Sequence, residues 1–149
     1  MYDTILVPTD GSDHSELAAD HAMDLAEQCN ATVHAVFVVE QTGPSGHWDF
    51  AVEDQEQAGE AALDAVVSRG EARGVDVEPH LRRGAPSEEI VDAATEYGVD
   101  IIVMGTQGRT GLSRIATAGS TTERVVRLTA IPTLVVGGAG VGTKVETDG

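Results

Sequence analysis

Short apolar runs alternate along this chain with longer stretches whose apolar residues recur every three or four positions. Thr4-Ile5-Leu6-Val7-Pro8 reads as a short buried strand that ends in the turn Asp10-Gly11-Ser12. A helix is predicted from Asp13 to Cys29, with Leu17, Ala18, Ala22, Leu25 and Ala26 on one stripe. Glu16, Asp20, Asp24 and Glu27 lie on its other side. Thr32–Val39 is β-branched and apolar, a second buried strand. Gln41–Asp49, punctuated by Gly43, Pro44 and Gly46, is a loop. A long helix from Ala51 to Arg73 follows, with Ala58, Ala62, Leu63, Val66 and Val67 on its apolar side. Val75–Arg82 is more polar and alternating, as befits a strand near a sheet edge. Pro86 and Ser87 open a third helix carrying Ile90, Val91 and Ala94, with Glu88 and Glu89 in the first turn, where the helix dipole favours negative charge. Asp100–Met104 is a fourth strand, Ser120–Leu128 a short helix and Pro132–Val136 a last strand.

Strands and helices in strict alternation predict an α/β fold, a doubly wound five-stranded parallel sheet of order 3-2-1-4-5 with helices on both faces. Right-handed crossovers and one reversal of strand order set the ends of the first and fourth strands side by side. Ligands of such sheets sit beyond the carboxyl ends of the strands, at that reversal. Asp10 and Gly105 are expected to face one crevice. Residues 1–137 are expected to form a single domain, with 138–149 a flexible tail that has no apolar period.

Charge changes the picture. The chain has 25 acidic against 9 basic residues, a net charge of −16, and Lys144 is its one lysine. Such a field argues against nucleic acid and anionic membranes, whose binding rests on neutralising phosphates. Acidic residues spread evenly over helix faces resemble those of proteins from organisms with molar salt in the cytoplasm, where a Debye length of roughly 3 Å mutes self-repulsion. The single cysteine, Cys29, fits a reducing cytoplasm. Ile5–Pro8 is too short and lacks the basic flank of a signal peptide, and no apolar run is long enough to span a bilayer.

The densest chemical signal is Gly105-Thr106-Gln107-Gly108 followed by Gly119-Ser120, between a strand and a helix start. Backbone N–H groups freed by glycines and aimed with a helix N-terminus make an anion site. Ser120 with Glu123 also fits a capping box. Asp10 before Gly11-Ser12 is either a ligand group or a turn former and helix cap. Arg109 and Arg114 either approach a triphosphate or offset local acidity. His14, His21, His34, His47 and His80 are scattered without metal-ligand spacing and read as solvated or packed side chains, so no metal site is expected on the protein itself. There is no nucleophile with a matching base and no Walker A lysine, so any hydrolysis is expected to be slow.

Taken together, Ile5-Leu6-Val7-Pro8-Thr9-Asp10-Gly11-Ser12, Gly84-Ala85-Pro86-Ser87-Glu88-Glu89-Ile90, Asp100-Ile101-Ile102-Val103-Met104-Gly105 and Pro132-Thr133-Leu134-Val135-Val136 resemble the universal stress protein family, in particular its nucleotide-binding branch. The resemblance implies an adenine nucleotide alpha-hydrolase-like fold, ATP as ligand, with Mg²⁺ or Mn²⁺ on its phosphates, and a stress-response role. Carried across, Gly105, Gly108, Gly119 and Ser120 would hold ribose and phosphates. Asp10 and the backbone near Val38 would meet the adenine, and Pro8 and Thr9 would line the entrance. Met104, Arg109 and Thr121 flank these positions and complete the expected set. The family's dimers pair their last strands, which implies a homodimer through Ile131–Val136.

One departure stands out. The family has nine residues between its second and third glycines; here ten, Arg109–Ala118, separate Gly108 from Gly119. The added residue is either absorbed as a bulge near Gly111 or turns Gly119 away from the phosphates. The second outcome would leave a same-fold dimeric scaffold that binds no nucleotide. A receiver domain would need an acceptor Asp after the third strand and a downstream Lys, where this chain has Arg82-Arg83 and Thr129. A ligase of the related pyrophosphatase group would need Ser-Gly-Gly-x-Asp-Ser, which Asp10-Gly11-Ser12-Asp13 does not supply.

Overall fold

The structure, a computed structural model, describes residues 2–40, 48–106 and 121–137. Its elements are β1 (Thr4–Pro8), α1 (Asp13–Cys29), β2 (Thr32–Val39), α2 (Trp48–Arg73), β3 (Val77–Arg83), α3 (Pro86–Tyr97), β4 (Ile101–Gly105), α4 (Thr121–Leu128) and β5 (Thr133–Val136). The strands form one parallel sheet in the order β3-β2-β1-β4-β5, as the alternation predicts. β1 lies centrally, pairing Ile5 with Val33 of β2 on one side and with Ile101 of β4 on the other.

Two apolar clusters cover the two faces, because successive strand residues point to opposite sides. Ile5, Val7, Val33, Ala35, Phe37 and Val103 pack with α1 and α2. Leu6, Val36, Ile102 and Met104 pack with Ile90 and Ala94 of α3 and with Val125 of α4. Ile5–Pro8 of β1 and all of β4 are therefore buried, which is why they read as unbroken runs.

Helix α1 starts on Ser12, whose hydroxyl accepts the Ser15 N–H at 3.2 Å, and stops on Asn30 in the left-handed conformation. It meets the sheet through Ala18, Ala19, Ala22, Met23 and Ala26. Leu17, expected on that stripe, is instead 45% exposed. Small alanines bring the helix close and centre the contact on their own column; Leu17 sits about 100° round from Ala18.

In α2 the buried column is Gly59, Leu63, Val66 and Gly70 rather than one containing Ala58, which is exposed. A Cβ on Gly59 would lie 2.6 Å from Phe37 Cδ1 and 2.8 Å from Leu81 Cδ1, and one on Gly70 would meet the Val75 carbonyl at 2.8 Å. Glycine here permits an approach that no side chain allows. β3 begins at Val77, two residues later than predicted, because Val75 belongs to the end of α2: its N–H bonds the Gly70 carbonyl at 2.8 Å past Gly74 at φ 73°.

Arginines tie the helices together. Arg69 bonds Asp20 at 2.6 Å and Glu16 at 3.3 Å, and Arg73 bonds Asp24 and also Glu27, the latter at 2.8 Å. The polar side of α1 thus becomes the α1–α2 seam. Hydrogen bonding from Arg73 lowers the pKa of both Asp24 and Glu27, and the same hydrogen bonds, first that to Glu27, raise that of Arg73.

Candidate functional site

The reversal of strand order falls at β1, where the chain leaves toward β2 on one side and β4 lies on the other. The carboxyl edge there is built mainly from backbone. After Pro8 the Thr9 N–H bonds the Val36 carbonyl at 2.8 Å, which holds the turn against β2 two residues before Val38. Val38 is partly buried and its side chain packs into the α3 cluster.

Thr9 is buried and organises the turn. Its Oγ1 accepts the Gly11 N–H at 3.2 Å and lies 3.1 Å from Ser15 Oγ. Since the Ser15 hydroxyl donates to the Ser12 carbonyl at 2.9 Å, Thr9 is the donor in their pair. Asp10 Oδ1 accepts the Ser12 N–H at 2.9 Å, closing an Asx turn with Gly11 at φ 82°. Asp10 is therefore the turn former and Ser12 the helix cap. Its other carboxylate oxygen has no hydrogen bond among the described residues.

Across the crevice, β4 ends at Gly105 against the first turn of α1. A Cβ on Gly105 would lie 2.7 Å from the His14 carbonyl oxygen and 2.9 Å from its carbon. The Gly105 carbonyl accepts the Thr122 hydroxyl at 2.6 Å, which brings the start of α4, and so Thr121, to the same edge. The Thr106 N–H bonds the Val136 carbonyl at 3.1 Å. His14 Nδ1 is buried with no hydrogen-bond partner among the described residues. An orphaned buried nitrogen beside a backbone crevice is the kind of group a ligand or a further loop satisfies.

The structure thus brings Pro8, Thr9, Asp10, Val38, Met104, Gly105 and Thr121 to one end of adjacent elements. Gly108, Arg109, Gly119 and Ser120 lie outside the described residues, as does the expected capping box. At the opposite, amino edge is a polar cavity of about 330 Å³ lined in part by Asn30, Thr32, Arg73 and Asp76.

Away from the crevice, sequence reading missed a cluster. His34 on β2 and His80 on β3 join Nδ1 to Nε2 at 2.9 Å, with Glu78 beside them. The Tyr97 ring covers His80 at 4.2 Å between centroids. Burial, then the neighbouring His34 charge, lowers the His80 pKa from its ordinary value near 6.5. Arg82 donates to Glu89 at 2.9 Å and to Glu96 and the Tyr97 hydroxyl at 3.1 Å. The signal that could have found the cluster is Glu78-Pro79-His80, two polar groups on one face of an alternating strand.

Comparison with known proteins agrees with this architecture. The Universal stress protein family pattern matches residues 1–137. Universal stress protein MJ0531 of Methanocaldococcus jannaschii is 40% identical over 141 residues, covering 91% of this chain and 82% of that protein. The structure of MJ0577, from the same organism, superposes with a TM-score of 0.79 at 33% identity, over 94% of this chain and 99% of the other. A universal stress protein solved in complex with cAMP gives a TM-score of 0.73 at 29% identity, over 91% and 97% of the two chains. The chain belongs to the universal stress protein family.

Proposed function

We propose that this universal stress protein binds an adenine nucleotide in the crevice between the ends of β1 and β4, and that occupancy changes the partners it engages in a stress response. The observation that carries the reading is the crevice itself. Among the described residues one Asp10 oxygen and the buried His14 Nδ1 have no hydrogen-bond partner, and the His14 main chain lies against the glycine that ends β4. The cAMP complex of a similar protein supports adenine as the base. ATP is the nucleotide proposed, with Mg²⁺ or Mn²⁺ carried on its phosphates. Gly105, Gly108, Gly119 and Ser120 would hold ribose and phosphates, Arg109 and Thr121 would stand beside them, and Asp10 and the Val38 backbone would meet the base. Bound phosphates bring the charge; the chain contributes N–H groups, a carboxylate oxygen and an apolar wall at Met104.

Self-association through Ile131–Val136 belongs to the same reading. β5 is the sheet's last strand, and Leu134 and Val135 are exposed. The −16 charge suits a cytoplasm of high salt, so binding is best measured in molar KCl. Mass spectrometry of small molecules released from gently purified protein should find an adenine nucleotide. Equilibrium binding of Mg-ATP should weaken at least about tenfold, or about 1.4 kcal/mol, in Gly119→Trp. Equal, negligible binding by parent and variant would favour the non-binding scaffold, for which the tenth residue before Gly119 is the supporting observation.

A further inference from the structure

We infer that His34, Glu78 and His80 form a binding site for a divalent transition-metal ion on the α3 face of the β2–β3 pair, apart from the nucleotide crevice. The site follows from register. His34 pairs with Glu78, and Val36 with His80, so two alternate residues of β3 stand on the same face as His34. The three donor atoms all lie within 4.8 Å of one another. His34 Nδ1 is 2.9 Å from His80 Nε2 and 3.8 Å from Glu78 Oε1.

The separations suit an ion. Bonds of about 2.0–2.1 Å in a tetrahedral arrangement set donors roughly 3.3 Å apart. The two observed distances fall on either side of that value. The ring centroids are 5.1 Å apart with planes only 18° from parallel, and a hydrogen bond runs along the line between the two nitrogens. Metal entry needs a small tilt of the rings off that line. Each neutral imidazole then keeps one proton on its far nitrogen, Nε2 of His34 and Nδ1 of His80, and none is lost from the pair.

The surroundings favour the ion over alternatives. Tyr97 stacks on His80 and lies 5.0 Å from His34, which limits how far the rings can swing. The Glu78 side chain is 61% exposed and that of His34 13%, so the pair is shielded while the carboxylate side is open to water ligands. Arg82, two residues along β3, is held by Glu89, Glu96 and Tyr97. Two imidazoles and one carboxylate suit Zn²⁺, Co²⁺, Ni²⁺ or Cu²⁺, whereas Mg²⁺ and Ca²⁺ prefer oxygen. A chain of net charge −16 attracts any cation, so the assignment rests on the nitrogen donors.

The test uses the full chain, stripped with chelator and kept in molar KCl. Titration with Co²⁺, followed by its visible absorption, and with Zn²⁺, followed by calorimetry, should show one tight equivalent per chain. His80→Gln should weaken it at least about 30-fold, since even outer-shell partners of a metal are worth about 10–100-fold. Glu78→Ala, at a largely exposed side chain, should weaken it about tenfold and leave the circular dichroism unchanged. His21→Gln, on α1, should have no effect. An absence of tight binding by the folded parent overturns the assignment, as does equal affinity in parent and His80→Gln, or an equal loss in His21→Gln. Should His80→Gln not fold, Glu78→Ala decides, and unchanged affinity there overturns the site.

Discussion

The two flanks of the sheet treat their last strand differently. On the β3 flank, Arg82 gathers Glu89 and Glu96, Arg83 pairs with Glu56, and α2 lies close on Gly59 and Gly70. Arg69 and Arg73 lock the same helix to α1. On the β5 flank, a strand of four residues is backed by a helix of eight, and Val126, Leu128, Leu134 and Val135 are 38–56% exposed. Each of those arginines on the β3 flank ends in a carboxylate, and Leu81, at 36%, is the exposed large apolar residue of β3. The β5 flank keeps apolar side chains beside a strand edge, and it is through this surface that self-association is proposed.

The sharpest challenge to this contrast is steric. Gly59→Val should cost about 2–3 kcal/mol in denaturant unfolding, because its Cβ would meet Phe37 and Leu81 at 2.6–2.8 Å. Helix propensity alone would favour valine by a few tenths of a kcal/mol, so the sign isolates the packing. Ala58→Val, one position away and exposed, should cost no more than about 0.7 kcal/mol. A Gly59→Val protein as stable as its parent would mean the β3 flank is not closely packed.

Next in size is Leu134→Asp on the other flank. Sedimentation should show self-association weakened about 100-fold, or about 2.7 kcal/mol, with monomer stability within about 0.5 kcal/mol of the parent. Unchanged association would remove the β5 flank as the contact surface.

Acid gives the smallest effect. Asp24 and Glu27 hold pKa values below their ordinary 3.8 and 4.5 because Arg73 bonds them, so the unfolded chain takes up protons first as pH falls. Their stabilisation is intact above about pH 4.5 and is lost as pH drops through the lowered values. Melting temperatures measured from pH 6 to pH 3 should therefore fall less steeply in Arg73→Met than in the parent. The difference is small, since both carboxylates are exposed. Parallel curves would show that the α1–α2 seam carries no net electrostatic stabilisation.

The same contrast separates what could be read along the chain from what could not. β1, β2 and β4 are covered on both faces, so their apolar runs announce themselves, and a doubly wound parallel sheet follows from the alternation with helices. Finer placement failed where backbone contacts decide it. Ala58 looked like a contact residue beside a glycine that proved to be the real one, and Val75 is buried by a helix end rather than by a strand. Asp10 could be assigned a turn role only once its bond to Ser12 was seen. His34 and His80 stand 46 residues apart and meet only through the β2–β3 register, which no spacing rule reveals. Of the expected phosphate loop, only Gly105 and Thr106 before it and Thr121 after it are among the described residues.

Gly105 has a last consequence. Where β4 meets the first turn of α1, main chain rests on main chain, with no side chain between to lengthen, shorten or rotate. The gap between the two halves of the crevice is consequently a fixed gauge. Substitutions in the lining, taken one residue at a time, can alter what this crevice prefers. They cannot retune its width, because the first step away from glycine forces the helix off the strand.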